Sequence, residues 1–177
     1  AFVRNEVSVA TGSKLNLVES FITLSEVVGE SLQCSHISLD VSESGLLSHV
    51  RIQSRSAEQT DVSTVDTHVA KAATYKTFTF TCSGKITRNN LSIILAGEAA
   101  HTELLGLSVA KDSQHIDSFT NVEHKPANTT SRQVYSNILK GSSRCVFTGK
   151  VDVRQDAQKT AAYQMNKNLL LSKDAEV

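Results

Sequence analysis

The chain has 177 residues, with 18 Lys and Arg against 18 Asp and Glu, a formal charge of zero, and 40% hydrophobic but only 5% aromatic residues. Without a basic surplus it lacks the electrostatic footprint that dominates nucleic-acid affinity, which excludes DNA or RNA binding by counterion release as its main activity. An apolar fraction near the globular norm excludes disorder, and the length suits one domain with a sizeable core.

Ser and Thr together number 39, Pro occurs once, at Pro126, and Trp is absent. Thr and Val favour strands, and a chain poor in aromatics is expected to fill its core with aliphatic side chains. Cys34, Cys82 and Cys145 are too widely spaced for a zinc ribbon, and their odd number argues against a disulfide framework. The triplets at Asn90 and Asn128 read as chance glycosylation sequons. No apolar run approaches the roughly 18 residues of a membrane span, and the start has no signal-peptide pattern. A soluble, reducing, cytoplasmic setting is the expectation, with no membrane partner. Because the first residue is Ala1 and the chain closes inside an apparent strand, the sequence also reads as a piece of a longer one.

In chain order, residues 36–41 place Ile37, Leu39 and Val41 on one face, and residues 48–53 place Val50 and Ile52 inward. The polar stretch 54–63 reads as a long turn. In 76–82 the alternation sets Phe78, Phe80 and Cys82 on a buried face and three threonines on the other. Strand signals recur at 91–95, 104–109, 144–147 and 150–154, with Gly84 and Gly97 among the connections. Residues 156–164 have helix-friendly composition but no apolar stripe and read as a loop. Leu169, Leu170 and Leu171 form a strand, followed by a turn and the opening of another. Strands about every 12 to 14 residues mean an all-β architecture. Among sandwich, barrel and solenoid, the scarcity of aromatic anchors favours a solenoid with coils of about 25 residues and a single domain over 1–177.

Few residues present themselves as chemistry. His36 and His49 sit on the polar parity of their strands and read as solvated. His68, His101 and His115 are expected at strand starts, where stacked coils could converge them on a metal, although neither three ligands nor supporting carboxylates show in the sequence. Cys82 and Cys145 read as small core residues, and Cys34 as the most exposed thiol, with His36 two residues on as a conceivable base. No phosphate-binding glycine loop and no nucleophile elbow occur. The carboxylates are dispersed, with only Asp40 and Glu43 or Asp152 and Asp156 near one another, which weakens a carbohydrate-active β-helix enzyme. No residue is assigned a catalytic, cofactor-binding or metal-binding role.

The most distinctive stretch runs from His124 through Pro126, Asn128, Thr129, Thr130, Ser131 and Arg132, then Val146-Phe147-Thr148-Gly149-Lys150-Val151, then Ala157-Gln158-Lys159-Thr160 and Asn168-Leu169-Leu170-Leu171-Ser172. It resembles the core of the SufB/SufD family of iron–sulfur cluster assembly scaffolds, the SufD branch in particular. Ser83 to Leu91 and Leu104 to Leu107 look like the preceding coils, so the resemblance covers roughly residues 10 to 177. It implies a right-handed parallel β-helix and a non-catalytic subunit that pairs with a SufB-like subunit and a SufC-like ATPase. In that complex a nascent iron–sulfur cluster forms and iron entry is supported, while this segment binds no cofactor itself. The Cys and His of the branch lie in a later motif that this chain does not contain, so no cluster-ligand role passes to Cys34, Cys82 or Cys145. The stretch from His124 to Arg132 is expected to determine the fold through turn hydrogen bonds of Asn128, Thr129 and Thr130. The alternatives are a carbohydrate-active β-helix enzyme and a generic solenoid interaction module. Exposed backbone at the last coil would favour a homodimer joined through the ends.

Overall fold

A computed structural model describes residues 1–23, 29–82 and 84–177; Ser83, which opens one of the stretches compared above, lies outside the described residues. The strands are β1 (Phe2–Val9), β2 (Lys14–Ile22), β3 (Ser31–Val41), β4 (Leu46–Ser54), β5 (Gln59–Val69) and β6 (Thr74–Thr81). They continue as β7 (Ile86–Leu95), β8 (His101–Ala110), β9 (His115–His124), β10 (Thr130–Leu139), β11 (Arg144–Val153) and β12 (Ala161–Leu170). Odd strands form one six-stranded sheet, β1-β3-β5-β7-β9-β11, and even strands a second, β12-β10-β8-β6-β4-β2. All pairings are parallel, so each coil gives one strand to each sheet and the chain winds as an all-β solenoid of about six turns. Coils run from 26 residues, where Thr60 stacks on Ile86, to 32, where Phe2 stacks on Cys34, somewhat longer than the expected repeat. No helix among the described residues is long and apolar enough to cross a membrane.

The corner between each odd strand and the next even strand is a short turn containing a left-handed residue. Gly12 (φ 67°), Ser44 (57°), Ala72 (53°), Ala99 (59°), Asn128 (60°) and Lys159 (57°) occupy this place in successive coils. For a non-Gly residue that conformation costs roughly 1–2 kcal/mol. Stacking offsets the cost: Gly12 N–H donates to Glu43 O, Ser44 N–H to Lys71 O, Ala72 N–H to Glu98 O and Asn128 N–H to Gln158 O, at 2.9–3.0 Å. In these four turns the left-handed residue's own N–H thus finds a carbonyl acceptor on the next coil.

Beside these corners the interior is aliphatic. Val41, Val69 and Leu95 stack in register on one sheet and face Leu47, Tyr75 and Leu104 on the other, all fully buried. A second apolar cluster joins Ala110, Ile116, Leu139, Cys145 and Ala175 at the far end. There Glu176 bridges Arg144 in parallel, the opening of a further strand that the sequence led one to expect.

Several expectations are corrected. Ile37, Leu39 and Val41 point inward as read, but β4 and β6 have the opposite parity: His49, Arg51 and Gln53 are buried, and so are Thr77, Thr79 and Thr81. Val50 and Ile52 are half-buried on the outer surface, and Phe78 is 38% exposed there. Hydroxyls therefore enter the interior where aliphatic ladders alone were expected. The polar stretch 54–63 is a turn only through residue 58, since Asp61 and Ser63 are buried rungs of β5. Within 156–164, Ala161 to Gln164 open β12. His68 lies near the end of β5 and not at a strand start, whereas His101 and His115 do begin β8 and β9.

Candidate functional site

The first charged side chains inside the solenoid come from the inward positions of β2 and β4. Arg51 is 1% exposed. Its Nε donates to Glu19 Oε2 at 3.0 Å and its Nη2 to Ser63 Oγ at 2.7 Å, across the interior from the opposite sheet. The guanidinium also lies 5.3 Å from the centre of the Phe21 ring. Glu19 Oε2 accepts a second bond, 2.9 Å from His49 Nε2. A carboxylate can only accept, so Nε2 carries the proton, and in the neutral ring Nδ1 accepts from the Tyr75 hydroxyl at 3.1 Å. Burial alone would raise the Glu19 carboxyl, but the His49 hydrogen bond and the Arg51 charge outweigh it and hold Glu19 below the ordinary carboxylate range. Tyr75 is pushed up to about 12, chiefly by burial.

The polar seam continues along the same side. Gln53 Nε2 donates to Asn89 Oδ1 at 2.9 Å, and Thr81 Oγ1 donates to Gln53 Oε1 at 2.7 Å. Asp61, facing Gln53, is raised by burial, which the nearby Arg55 and Arg51 only partly offset. Farther along, Thr120 donates to Gln133 Oε1 at 2.6 Å. Arg51 Nη1, Asp61 Oδ1, Gln133 Nε2 and the Tyr135 hydroxyl are buried and meet no partner among the described residues. This seam fixes charge and register across the stacked coils. Spacing along one strand did not reveal it, because Glu19, Arg51 and Ser63 meet only when coils stack.

The histidines considered from sequence are dispersed. His36 is half-buried and hydrogen-bonds Asp66 Oδ2 at 2.8 Å, and His68 Nδ1 lies 3.2 Å from Asp40. Both pairs stand on the outer face of the odd-strand sheet, where Ser38, Asp40, Asp66, His68 and Ser92 line a shallow cleft of about 230 Å³. Asp40 thus turns to His68 rather than to Glu43. His36 engages Asp66, not Cys34, so the conceivable Cys–His dyad is not assembled. His49 was expected in solvent and is buried. His101 bonds Thr130 Oγ1 at 2.7 Å and is lowered chiefly by burial. His68, His101 and His115 lie on different sheets or opposite strand ends and do not converge, and among the described residues no three metal-capable side chains form a group. Cys145 is buried and its thiol pushed up to about 11 by burial, whereas Cys34 and Cys82 are half-buried.

The stretch from His124 to Arg132 builds a corner. His124 is fully buried at the end of β9. Thr129 Oγ1 donates to Pro126 O at 3.3 Å, so His124 Nδ1 donates to Thr129 Oγ1 at 2.8 Å and Nε2 accepts from Ser131 Oγ at 3.0 Å. Burial lowers His124, in keeping with a neutral ring. One coil later the turn is repeated: Thr160 Oγ1 donates to Ala157 O at 2.9 Å, with Lys159 in the left-handed place of Asn128. The distinctive segments around Pro126 and Ala157 are therefore successive copies of one hydrogen-bonded corner.

The family model for the SUF system FeS cluster assembly SufBD core domain matches residues 1–177. The chain belongs to the SufBD family. It is 27% identical over 177 residues to the iron–sulfur cluster assembly protein SufD of Escherichia coli, covering all of this chain and 41% of that protein. A SufBD family protein of Synechocystis is 30% identical over 135 residues, 76% of this chain and 30% of its own length, and one of Mycobacterium leprae 32% over 111 residues, 59% and 28%. The chain thus spans less than half the length of these relatives.

Proposed function

We propose that this chain is the solenoid core of a SufD-like scaffold subunit in iron–sulfur cluster assembly. It works in the cytoplasm through contacts with a SufB-like subunit and a SufC-like ATPase, with the nascent cluster and its iron as cargo and not as a resident cofactor. The match of the SufBD core domain across all 177 residues carries the reading. Physical support comes from how its charged groups are used. Glu19 is held by Arg51 and His49 inside, and Glu103 and Glu123 by Arg132 and Arg154 outside. They lock coils together instead of standing free as an acid–base pair.

Copurification tests the proposal. A tagged version of the complete protein that contains this segment should retain a SufC-like ATPase and a SufB-like subunit through size exclusion. Retention of neither would overturn the reading, and turnover of polyuronate by the purified chain would move it to the carbohydrate-active class.

A further inference from the structure

The two outer faces differ. On the odd-strand sheet, the outward column Glu6, Ser38, Asp66, Ser92, Asn121 and Lys150 is polar throughout. On the even-strand sheet, Val18, Val50, Phe78, Leu105, Val134 and Met165 stack in register through all six rungs. Beside them Ile52, Phe80 and Leu107 extend the stripe. These side chains point away from the core; Val18 is 61% exposed and Phe78 38%. Large apolar residues are also exposed elsewhere, at Phe2, Leu32 and Leu169 to Leu171 among others, but a contiguous apolar stripe in register over six rungs marks an interaction site.

Its shape selects the occupant. Neighbouring outward columns are about 7 Å apart along a strand, so the stripe is about one helix wide over its three central rungs, where both columns are apolar, and the single column continues through six rungs spaced about 4.8 Å, a span of about 24 Å. That length matches a helix of about 16 residues, whose 5.4 Å turn nearly follows the rungs. A wider occupant, such as the same face of a second copy, would have to cover the adjoining column Lys76, Glu103 and Arg132. There Arg132 holds Glu103 at 2.9 Å and Lys76 lies 3.9 Å from it, and covering these charges incurs their desolvation. Between the charged and apolar columns runs a groove of about 180 Å³, lined by Ser48, Val50, Lys76, Phe78, Glu103 and Leu105. Two cations against one carboxylate on this border favour acidic residues opposite.

We infer that the outer face of the even-strand sheet docks an amphipathic α-helix of a partner polypeptide, with an apolar i, i+3, i+4, i+7 stripe over Val50, Phe78 and Leu105 and acidic residues toward Lys76 and Arg132. The assignment rests on the surface alone and is independent of which subunits the proposed scaffold joins.

The probe is a fluorescein-labelled, hydrocarbon-stapled 16-residue peptide with leucines at that spacing and glutamates on the flank, titrated by anisotropy into the chain. Saturable binding is expected, weakened about tenfold or more by Phe78→Glu and by Leu105→Glu, and likewise by lysines in place of the peptide's glutamates. Both substitutions face solvent, so unchanged circular dichroism is expected, and two positions guard against one misfolded variant. No saturable binding, or binding indifferent to both substitutions, overturns the inference. A concentration-dependent dimer in sedimentation velocity that Phe78→Glu abolishes also overturns it, by giving the face to a second copy.

Discussion

Replacing Arg51 by Met tests whether the interior seam is an ion-pair lock. The substitution keeps much of the aliphatic volume and removes two hydrogen bonds, to Glu19 and to Ser63. It leaves the Glu19 carboxylate, only 12% exposed, with His49 as its remaining partner. Breaking a buried pair by removing one member costs about 3–5 kcal/mol. The retained His49 bond places this case near the lower end, at about 3 kcal/mol, or about 6–12 °C in Tm for a chain of this size. Neutralising the stranded carboxylate as well, in Glu19→Gln/Arg51→Met, should restore about 1–2 kcal/mol. Urea titration followed by circular dichroism measures both variants, with linear extrapolation to water. The sign with pH is also fixed. Glu19 is held below its unfolded value, so it stabilises the fold above the ordinary carboxylate range, and that contribution is lost as pH falls through the folded value. Arg51→Met should flatten this acid limb. A cost under about 1 kcal/mol, or a double variant no more stable than the single one, would refute the lock.

Four further outcomes follow from the same geometry. His124→Ala removes two buried hydrogen bonds and should lower stability by about 3 kcal/mol in urea titration. Because burial lowers His124, the wild type should lose stability as pH falls below the usual imidazole value of about 6.5, and His124→Asn should lose less over that window. Ala72→Gly relieves a left-handed alanine (φ 53°) and should raise the urea midpoint by about 0.5 kcal/mol equivalent, after the flexibility glycine adds to the unfolded chain. With a thiol-reactive disulfide reagent, Cys34 and Cys82 should be labelled in the native protein and Cys145 only after unfolding, because Cys145 is buried and its thiol raised to about 11.

The architecture was legible because strand length and turn spacing are local properties, and the inward set Ile37, Leu39 and Val41 was right because its alternate positions are polar. The rule failed on β4 and β6, where both faces carry a defensible set. Val50 and Ile52 compete with His49, Arg51 and Gln53, and Phe78 and Phe80 compete with three threonines. Periodicity tells which residues share a face and is silent on which face is inside. The usual assumption, apolar inward, breaks where a polar seam is sealed in by cross-sheet hydrogen bonds and the apolar residues form an outer stripe. The missing information is coil register. Once Glu19, Arg51 and Thr79 are known to stack, the isolated arginine of β4 acquires a carboxylate partner that no strand shows alone.

That register also explains why a stacked solenoid shows so little internal repetition. The inward column that begins Glu19, Arg51 and Thr79 continues as Gly106, Tyr135 and Asn166, so its members are complementary and not alike. At Gly106 a Cβ would overlap the ring of Tyr135 on the next coil, and that ring stacks on Phe147 of the opposite sheet with centroids 4.4 Å apart. The glycine is therefore the space into which the tyrosine leans, as Glu19 is the charge toward which Arg51 reaches. Side chains paired across adjacent coils in this way cannot be exchanged between coils. A slip by one coil would set Arg51 against Thr79's neighbours and Tyr135 against a side chain with a Cβ, exposing a buried charge and an overpacked ring together. The heterogeneous interior specifies one register among the many that uniform aliphatic ladders would permit, and it thereby holds the corners and both outer faces in fixed positions for whatever they engage.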